Sequence, residues 1–151
     1  MTLRPHEELV VDASVAIKWV IAEADNERAM PLRRHSLIAP DLLFAECANV
    51  LWHKLRRREI SGDEAEIAAQ TLQQADLVVV STRGYAARAV AIAVALDHPA
   101  YDAMYLSVAE AFGLRLVTAD DRLIRKTEQV SARFRAMLLP LSDIPPAGYS
   151  A

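Results

Sequence analysis

A chain of 151 residues with 53% hydrophobic side chains can bury one proper core but not two, and it is too apolar for a disordered protein. Its net charge of −3 argues against binding nucleic acid through overall charge, and no apolar run is long enough to span a bilayer. Cys47 is the one cysteine, which excludes an internal disulfide, fits a reducing cytoplasm and reads as a small buried packing residue.

The N-terminus, "MTLRPHEELVVDAS", has no long apolar stretch after its Arg, so no secretory leader is expected. Leu9–Val11 is the first predicted strand, and Asp12 ends it. A helical stretch over about 14–34, in two pieces, leads to a second strand at Leu37–Ala39. Pro40 and Asp41 signal the start of a helix over 41–58, whose Leu42, Leu43, Val50 and Leu51 recur as a buried stripe. Glu46 lies four residues from Leu42 and from Val50, so it projects from that same stripe. An unpaired carboxylate there costs on the order of several kcal/mol, so Glu46 must face something that compensates it.

Ser61 and Glu64 form a capping box for a helix over 62–75. The run "DLVVVS" marks a third strand at Leu77–Val80, followed by a helix over 85–96. Pro99 begins and Gly113 follows a helix over 99–112, which carries Asp102 on the face of Tyr105 and Leu106. A fourth strand, Leu114–Thr118, precedes Asp120, Asp121 and a helix over 120–128. A weaker fifth strand falls at Met137–Leu141, and the tail "SDIPPAGYSA" reads as a frayed end or a partner-dependent arm. Continuous apolar runs such as "DLVVVS" and "LRLVT" suit strands buried on both faces. The alternation predicts an α/β layer fold with right-handed crossovers. It forms one domain over 1–151, with its core at about 9–141 and a tail at 142–151.

The acids then draw attention. Asp12 and Asp120 with Asp121 sit at strand ends, where doubly wound sheets bind ligands, although Asp also caps helices there. Asp102 and Glu46 both interrupt apolar helix faces. Carboxylates brought together repel unless a cation neutralises them, and all-oxygen donors suit Mg²⁺ or Mn²⁺. His6, His35, His53 and His98 are scattered, with no zinc spacing. Lys54, Arg56, Arg57 and Arg58 crowd one helix end, and Arg33 and Arg34 end another helical stretch. They are either dipole partners on a solvated surface or phosphate contacts.

In order, "VVDASVAIKW", "APDLLFAECANVLW", "HPAYDAMYLSVAEAFG" and "LVTADDRL" resemble the PIN-domain nucleases, most closely VapC-like toxins of bacterial toxin–antitoxin pairs. The resemblance runs from about Leu9 to Leu141. It implies a three-layer PIN-like fold around a mostly parallel sheet of four to five strands, with the strands bearing Asp12 and Asp120 side by side. It also implies a cytoplasmic endoribonuclease that hydrolyses RNA with Mg²⁺ or Mn²⁺, one ion or two. The catalytic and metal-binding set carried over is Asp12, Glu46, Asp102 and Asp120. Asp12 and Asp102 would be direct ligands; Glu46 and Asp120 would act directly or through water, one of them orienting the attacking water. Ser14 and Thr118 would donate hydrogen bonds to metal-bound water or phosphate. Asp121 would support the metal or face solvent, and Arg56, Arg57 and Arg58 are candidates for RNA backbone contact. The implied partners are a small antitoxin whose tail covers the acidic groove and a second copy in a homodimer.

Other readings compete. A haloacid-dehalogenase-like phosphatase needs an Asp two residues after the first, where this chain has Ser14. A receiver domain needs an Asp at the end of its third strand, where Ser81 stands. A metal-stabilised binding module without catalysis, or a housekeeping RNA-processing nuclease, would carry the same acids.

Overall fold

In the computed structural model, which describes residues 3–148, five short strands form one wholly parallel sheet. They are β1 (Leu9–Val11), β2 (Leu37–Pro40), β3 (Val78–Val80), β4 (Arg115–Thr118) and β5 (Leu138–Pro140), in the order β3-β2-β1-β4-β5. The chain steps outward from β1 to β3, then crosses back so that β4 lies on the other side of β1, with Val10 opposite Leu116 and Val11 opposite Val117. This reversal between β1 and β4 is the switch point at which open α/β sheets bind ligands. It sets the ends of the two acid-bearing strands side by side, as the resemblance implies.

Helices flank the sheet: α1 (Ala13–Ala16), α2 (Asn26–Ala29), α3 (Leu42–Arg56), α4 (Gly62–Gln73), α5 (Ala86–Leu96), α6 (Ala100–Phe112), α7 (Asp121–Val130) and α8 (Ala132–Met137). The sequence predicts most of these to within two residues, but not α8. Ser131 accepts a hydrogen bond from the Phe134 N–H and starts a separate helix there, which the sequence reading passes over as a loop. The capping box of Ser61 and Glu64 is present in full.

α6 packs across β1, β2 and β4, and Ala103, Tyr105, Leu106, Ser107, Val108 and Ala109 are all buried along it. It is the central helix, buried nearly all round because sheet and α5 enclose it. β1 and the inner part of β4 are likewise fully buried, as expected for parallel strands covered on both faces.

Two expectations are corrected. β3 is not buried on both faces: it lies at the sheet edge, with Val78 59% and Val79 45% exposed. An apolar run cannot distinguish a central strand from an edge strand that one layer leaves open. Asp41 does stand at the start of α3 as expected, in its cap position, with its side chain accepting the Thr82 N–H at 3.0 Å rather than an N–H of α3 itself. The start of the tail is not frayed. Ile144 is buried, Arg28 donates to the Ile144 and Ser142 carbonyls, and the Ala147 N–H donates to the Glu27 carbonyl. Residues 149–151 of that tail lie outside the described residues. No helix among the described residues is long and apolar enough to cross a membrane.

Candidate active site

Four elements deliver one carboxylate each to the C-terminal end of the sheet: β1 ends at Asp12, α3 carries Glu46 in its second turn, α6 carries Asp102 in its first, and the turn after β4 carries Asp120. Asp12 is buried and is also the cap of α1, accepting the Val15 N–H on Oδ1 at 3.3 Å. Capping and site membership thus coincide in one residue.

Its environment is built by two hydroxyls. Ser14 Oγ donates to Asp12 Oδ1 and Thr118 Oγ1 donates to Asp12 Oδ2, each at 2.5 Å. Each hydroxyl in turn accepts a backbone N–H from the turn after β4, Ala119 to Ser14 at 2.9 Å and Asp120 to Thr118 at 3.1 Å. A hydroxyl has one proton, so the backbone amides fix which way it points. The resemblance implies that these hydroxyls donate to metal-bound water or phosphate; in the structure both protons go to Asp12. Oδ1 thereby fills both acceptor positions, while Oδ2 keeps one.

The other acids are anchored through one oxygen as well. His98 Nε2 lies 2.6 Å from Asp102 Oδ2, one helical turn before it. Asp120 Oδ1 caps α7, accepting from the Arg122 and Leu123 N–H groups at 2.9 and 3.4 Å. Glu46 is the exception: its Oε1 and the Tyr105 hydroxyl are both buried without a hydrogen bond of good geometry among the described residues, although the hydroxyl is near enough to pull the Glu46 carboxyl down against its net rise.

The electrostatics bind these groups into one cluster. Burial pushes the Asp12 carboxyl up to about 6 against the pull of its two hydroxyls, and the charge on Asp102 adds to the rise. Burial likewise pushes Glu46 up to about 7, with the charges of Asp102, Asp12 and Asp120 contributing. Asp102 is raised by burial first, opposed by His98 and, through its charge, Arg122. Glu46 Oε1 is thus turned away from solvent and feels the charges of the other three acids. Cys47 is buried with its thiol pushed up to about 12 by burial, and its Sγ lies 3.9 Å from the Ala13 carbonyl: a packing residue.

This donor set fits a hard divalent cation. Its donors are oxygens, its like charges raise one another, and one buried carboxylate oxygen lacks any partner. Among the described residues, no group of three or more His, Cys, Asp or Glu side chains already stands at metal-binding spacing. Uncompensated repulsion opposes closer approach of such acids.

The remaining expected residues separate from the cluster. Asp121 opens α7 and is exposed to solvent. Arg56, Arg57 and Arg58 lie at the far end of α3, about 15 Å along the axis from Glu46 by helical rise. There Arg56 stacks over Trp52 at 5.1 Å and Arg57 pairs with Glu59 at 2.9 Å. The sequence reading missed His98, counted among scattered histidines, although its i, i+4 spacing to Asp102 is the available signal. It also missed Arg122, Arg125 and Lys126, which line a cavity of about 390 Å³ together with His98 and Asp102.

The family model for the PIN domain matches residues 9–129. The chain is 34% identical over 124 residues to the Ribonuclease VapC3 of Pyrobaculum aerophilum, covering 79% of this chain and 94% of that one. Its fold is similar to Mycobacterium tuberculosis VapC20, a sarcin–ricin loop cleaving toxin (TM-score 0.60, 18% identity, 75% and 90% covered). It is similar too to a chain of a toxin–antitoxin complex from Klebsiella pneumoniae (TM-score 0.61, 14% identity, 90% and 99% covered).

Proposed function

The chain belongs to the PIN domain family, and from that premise we propose that it is a metal-dependent endoribonuclease acting as the toxin of a toxin–antitoxin pair. The observation that carries this reading is the convergence of four mutually coupled carboxylates at the β1–β4 switch point, with a buried, unpartnered oxygen on Glu46. The VapC3 relative carries the name ribonuclease, which supports the same chemistry.

Asp12 through Oδ2, Asp102, Glu46 and Asp120 would hold Mg²⁺ or Mn²⁺. When bound, the ion supplies Lewis-acid stabilisation of the phosphate and acidifies a water molecule. Ser14 and Thr118 keep Asp12 ionised and fixed in orientation inside a buried setting. His98 orients Asp102 and leaves its other oxygen toward the groove. Glu46, whose Oε1 has no hydrogen-bond partner among the described residues, would either bind the ion or orient the attacking water. Asp120 is locked to the start of α7 by its cap bonds, so it arrives at the groove with little freedom.

The partners in this reading are an RNA substrate and a small antitoxin, supported by the toxin–antitoxin complex among the similar folds. A homodimer and a cytoplasmic location belong to the same proposal. Purified protein, freed of any antitoxin, is incubated with structured and single-stranded RNA in Mg²⁺, Mn²⁺ or EDTA. Metal-dependent cleavage that is lost in both Asp12→Asn and Glu46→Gln is the expected result. Variants that cut as well as the parent would sink the acidic-site assignment, and growth arrest on expression that requires Asp102 would favour a toxin over a processing enzyme.

A further inference from the structure

RNA must approach a groove lined by four acids on a chain that is negative overall, so the positive charge that receives its backbone has to be local. Several cations are already engaged: Lys18 and Lys54 share Glu23, Arg88 and Arg133 share Glu110, Arg115 clasps Glu7, and Arg135 pairs with Glu128. Arg33, Arg34, Arg58 and Arg83 enter no ion pair among the described residues, but none of them lines the cavity that holds His98 and Asp102. The outer face of α7 does. Arg122, Arg125, Lys126 and Gln129 fall at i, i+3, i+4 and i+7, a single helical stripe, while Leu123 and Thr127 on the opposite face are buried.

That stripe walls the cavity whose other side holds His98 and Asp102, so it begins at the acids and leads away from them. The Arg122 side chain is 82% exposed, and its nearest anion, Asp120, is 3.9 Å from Nε. Arg125 is exposed and takes part in none of the hydrogen bonds or ion pairs among the described residues. Lys126 meets Asp97 at 3.3 Å, but that Asp side chain is 96% exposed, and such surface pairs contribute little and are readily exchanged. These are cations held in place by a helix yet left available.

We propose that this face of α7, formed by Arg122, Arg125, Lys126 and Gln129, is the track for the RNA phosphate backbone leading away from the cleavage site. It rests on the ribonuclease reading and adds to it the surface that holds the substrate strand. The stripe is about 10 Å long by helical rise, long enough to meet a short run of adjacent phosphates. Three cations there contact phosphates without reading bases, so the track gives affinity and direction, not sequence choice.

The test uses a fluorescein-labelled single-stranded RNA of mixed sequence and fluorescence anisotropy at rising KCl in EDTA, all in an Asp12→Asn background that does not cut. Replacing Arg122, Arg125 and Lys126 together by Gln should weaken binding roughly tenfold or more at low salt and flatten the log–log salt slope by about 2. Arg125→Lys should keep the parent's behaviour, and Arg125→Glu, at a solvent-facing position, should give a loss of the same sign with unchanged circular dichroism. Replacing Arg56, Arg57 and Arg58 by Gln should leave the slope unchanged. A triple α7 variant with the parent's affinity and slope overturns the track, as does a parent that binds no RNA at low salt. If poly-glutamate binds the parent as tightly as RNA while the triple variant keeps RNA affinity, the face belongs to an acidic protein segment and the proposal falls. Metal-dependent cleavage is scored separately, in proteins that keep Asp12. Intact cleavage with no change in binding defeats the track alone, and cleavage indifferent to Asp12 and Glu46 defeats the acidic-site reading without touching the binding result.

Discussion

Strands β1 and β4 hold carboxylates at both of their ends, and the two ends solve the same electrostatic problem in opposite ways. Just before β1, Glu7 meets Arg115 at the start of β4 through two hydrogen bonds of 2.9 and 2.8 Å. That pairing holds Glu7 below the usual carboxylate range, chiefly through the Arg115 hydrogen bonds. At the far ends of the same strands, Asp12 meets Thr118 and Ser14, neutral hydroxyls, and it is lifted to about 6. One end is a finished ion pair that fastens neighbouring strands. The other collects negative charge without a matching cationic side chain at Asp12, which is a cost to folding that a bound proton or a bound cation would relieve.

The sharpest break of this contrast is Asp12→Asn. On the proposed metal-ligand role it should cut RNA hydrolysis by about three orders of magnitude, while the melting temperature of the metal-free protein stays level or rises. A smaller effect is expected from Ser14→Ala and Thr118→Val. Each leaves Asp12 in place but unsteadied, so cleavage should fall by about 10- to 100-fold and its pH profile should move upward as the Asp12 carboxyl rises further.

At the opposite end the readout changes from rate to stability. Arg115→Ala should lower stability by roughly 1–2 kcal/mol, the scale of a charge-assisted pair, visible in urea unfolding, with the cleavage rate unchanged. An equal loss of cleavage would dissolve the distinction between the two ends.

The pH dependence has opposite signs at the two ends. Glu7 has a lowered carboxyl, so its contribution is present above its ordinary 4.5 and is lost as pH falls below that. Asp12 and Glu46 have raised carboxyls, so theirs is present below about 4 and is lost as pH climbs through about 6 to 7. Urea midpoints in EDTA from pH 3.5 to 8 should therefore show an acid limb flattened by Glu7→Gln and a neutral limb flattened by Glu46→Gln. Added Mg²⁺ should raise the midpoint at pH 7 in the parent and much less in Glu46→Gln. The smallest effect is assigned to Asp121→Asn, which faces solvent and should change neither rate nor stability measurably.

Much of this was legible from residue order. Strand ends announced themselves through buried apolar runs followed by Asp, and a carboxylate within the stripe of α3 marked Glu46 as needing something to compensate it. What the sequence hides is angular and lateral. Whether "DLVVVS" is central or at an edge depends on which strands flank it, a fact of topology rather than of composition. The orientation of the Ser14 and Thr118 protons depends on backbone amides more than a hundred residues away for Ser14, and no local pattern encodes that. The stripe on α7 was overlooked because the denser basic run at 54–58 drew attention to a helix end that the fold carries away from the acids.

The burial of α6 has a further consequence, for how the molecule opens. Amides in α6, β1 and β4 sit where covering layers meet, so they should be the last to exchange with solvent. Asp12 and Asp102 are rooted in that body. α7 is a shorter helix with two buried residues, Leu123 and Thr127, and its amides should exchange earlier. Exchange rates should therefore divide the groove along its length, slow on the wall that carries Asp12 and Asp102 and faster on the wall that carries the cations of α7.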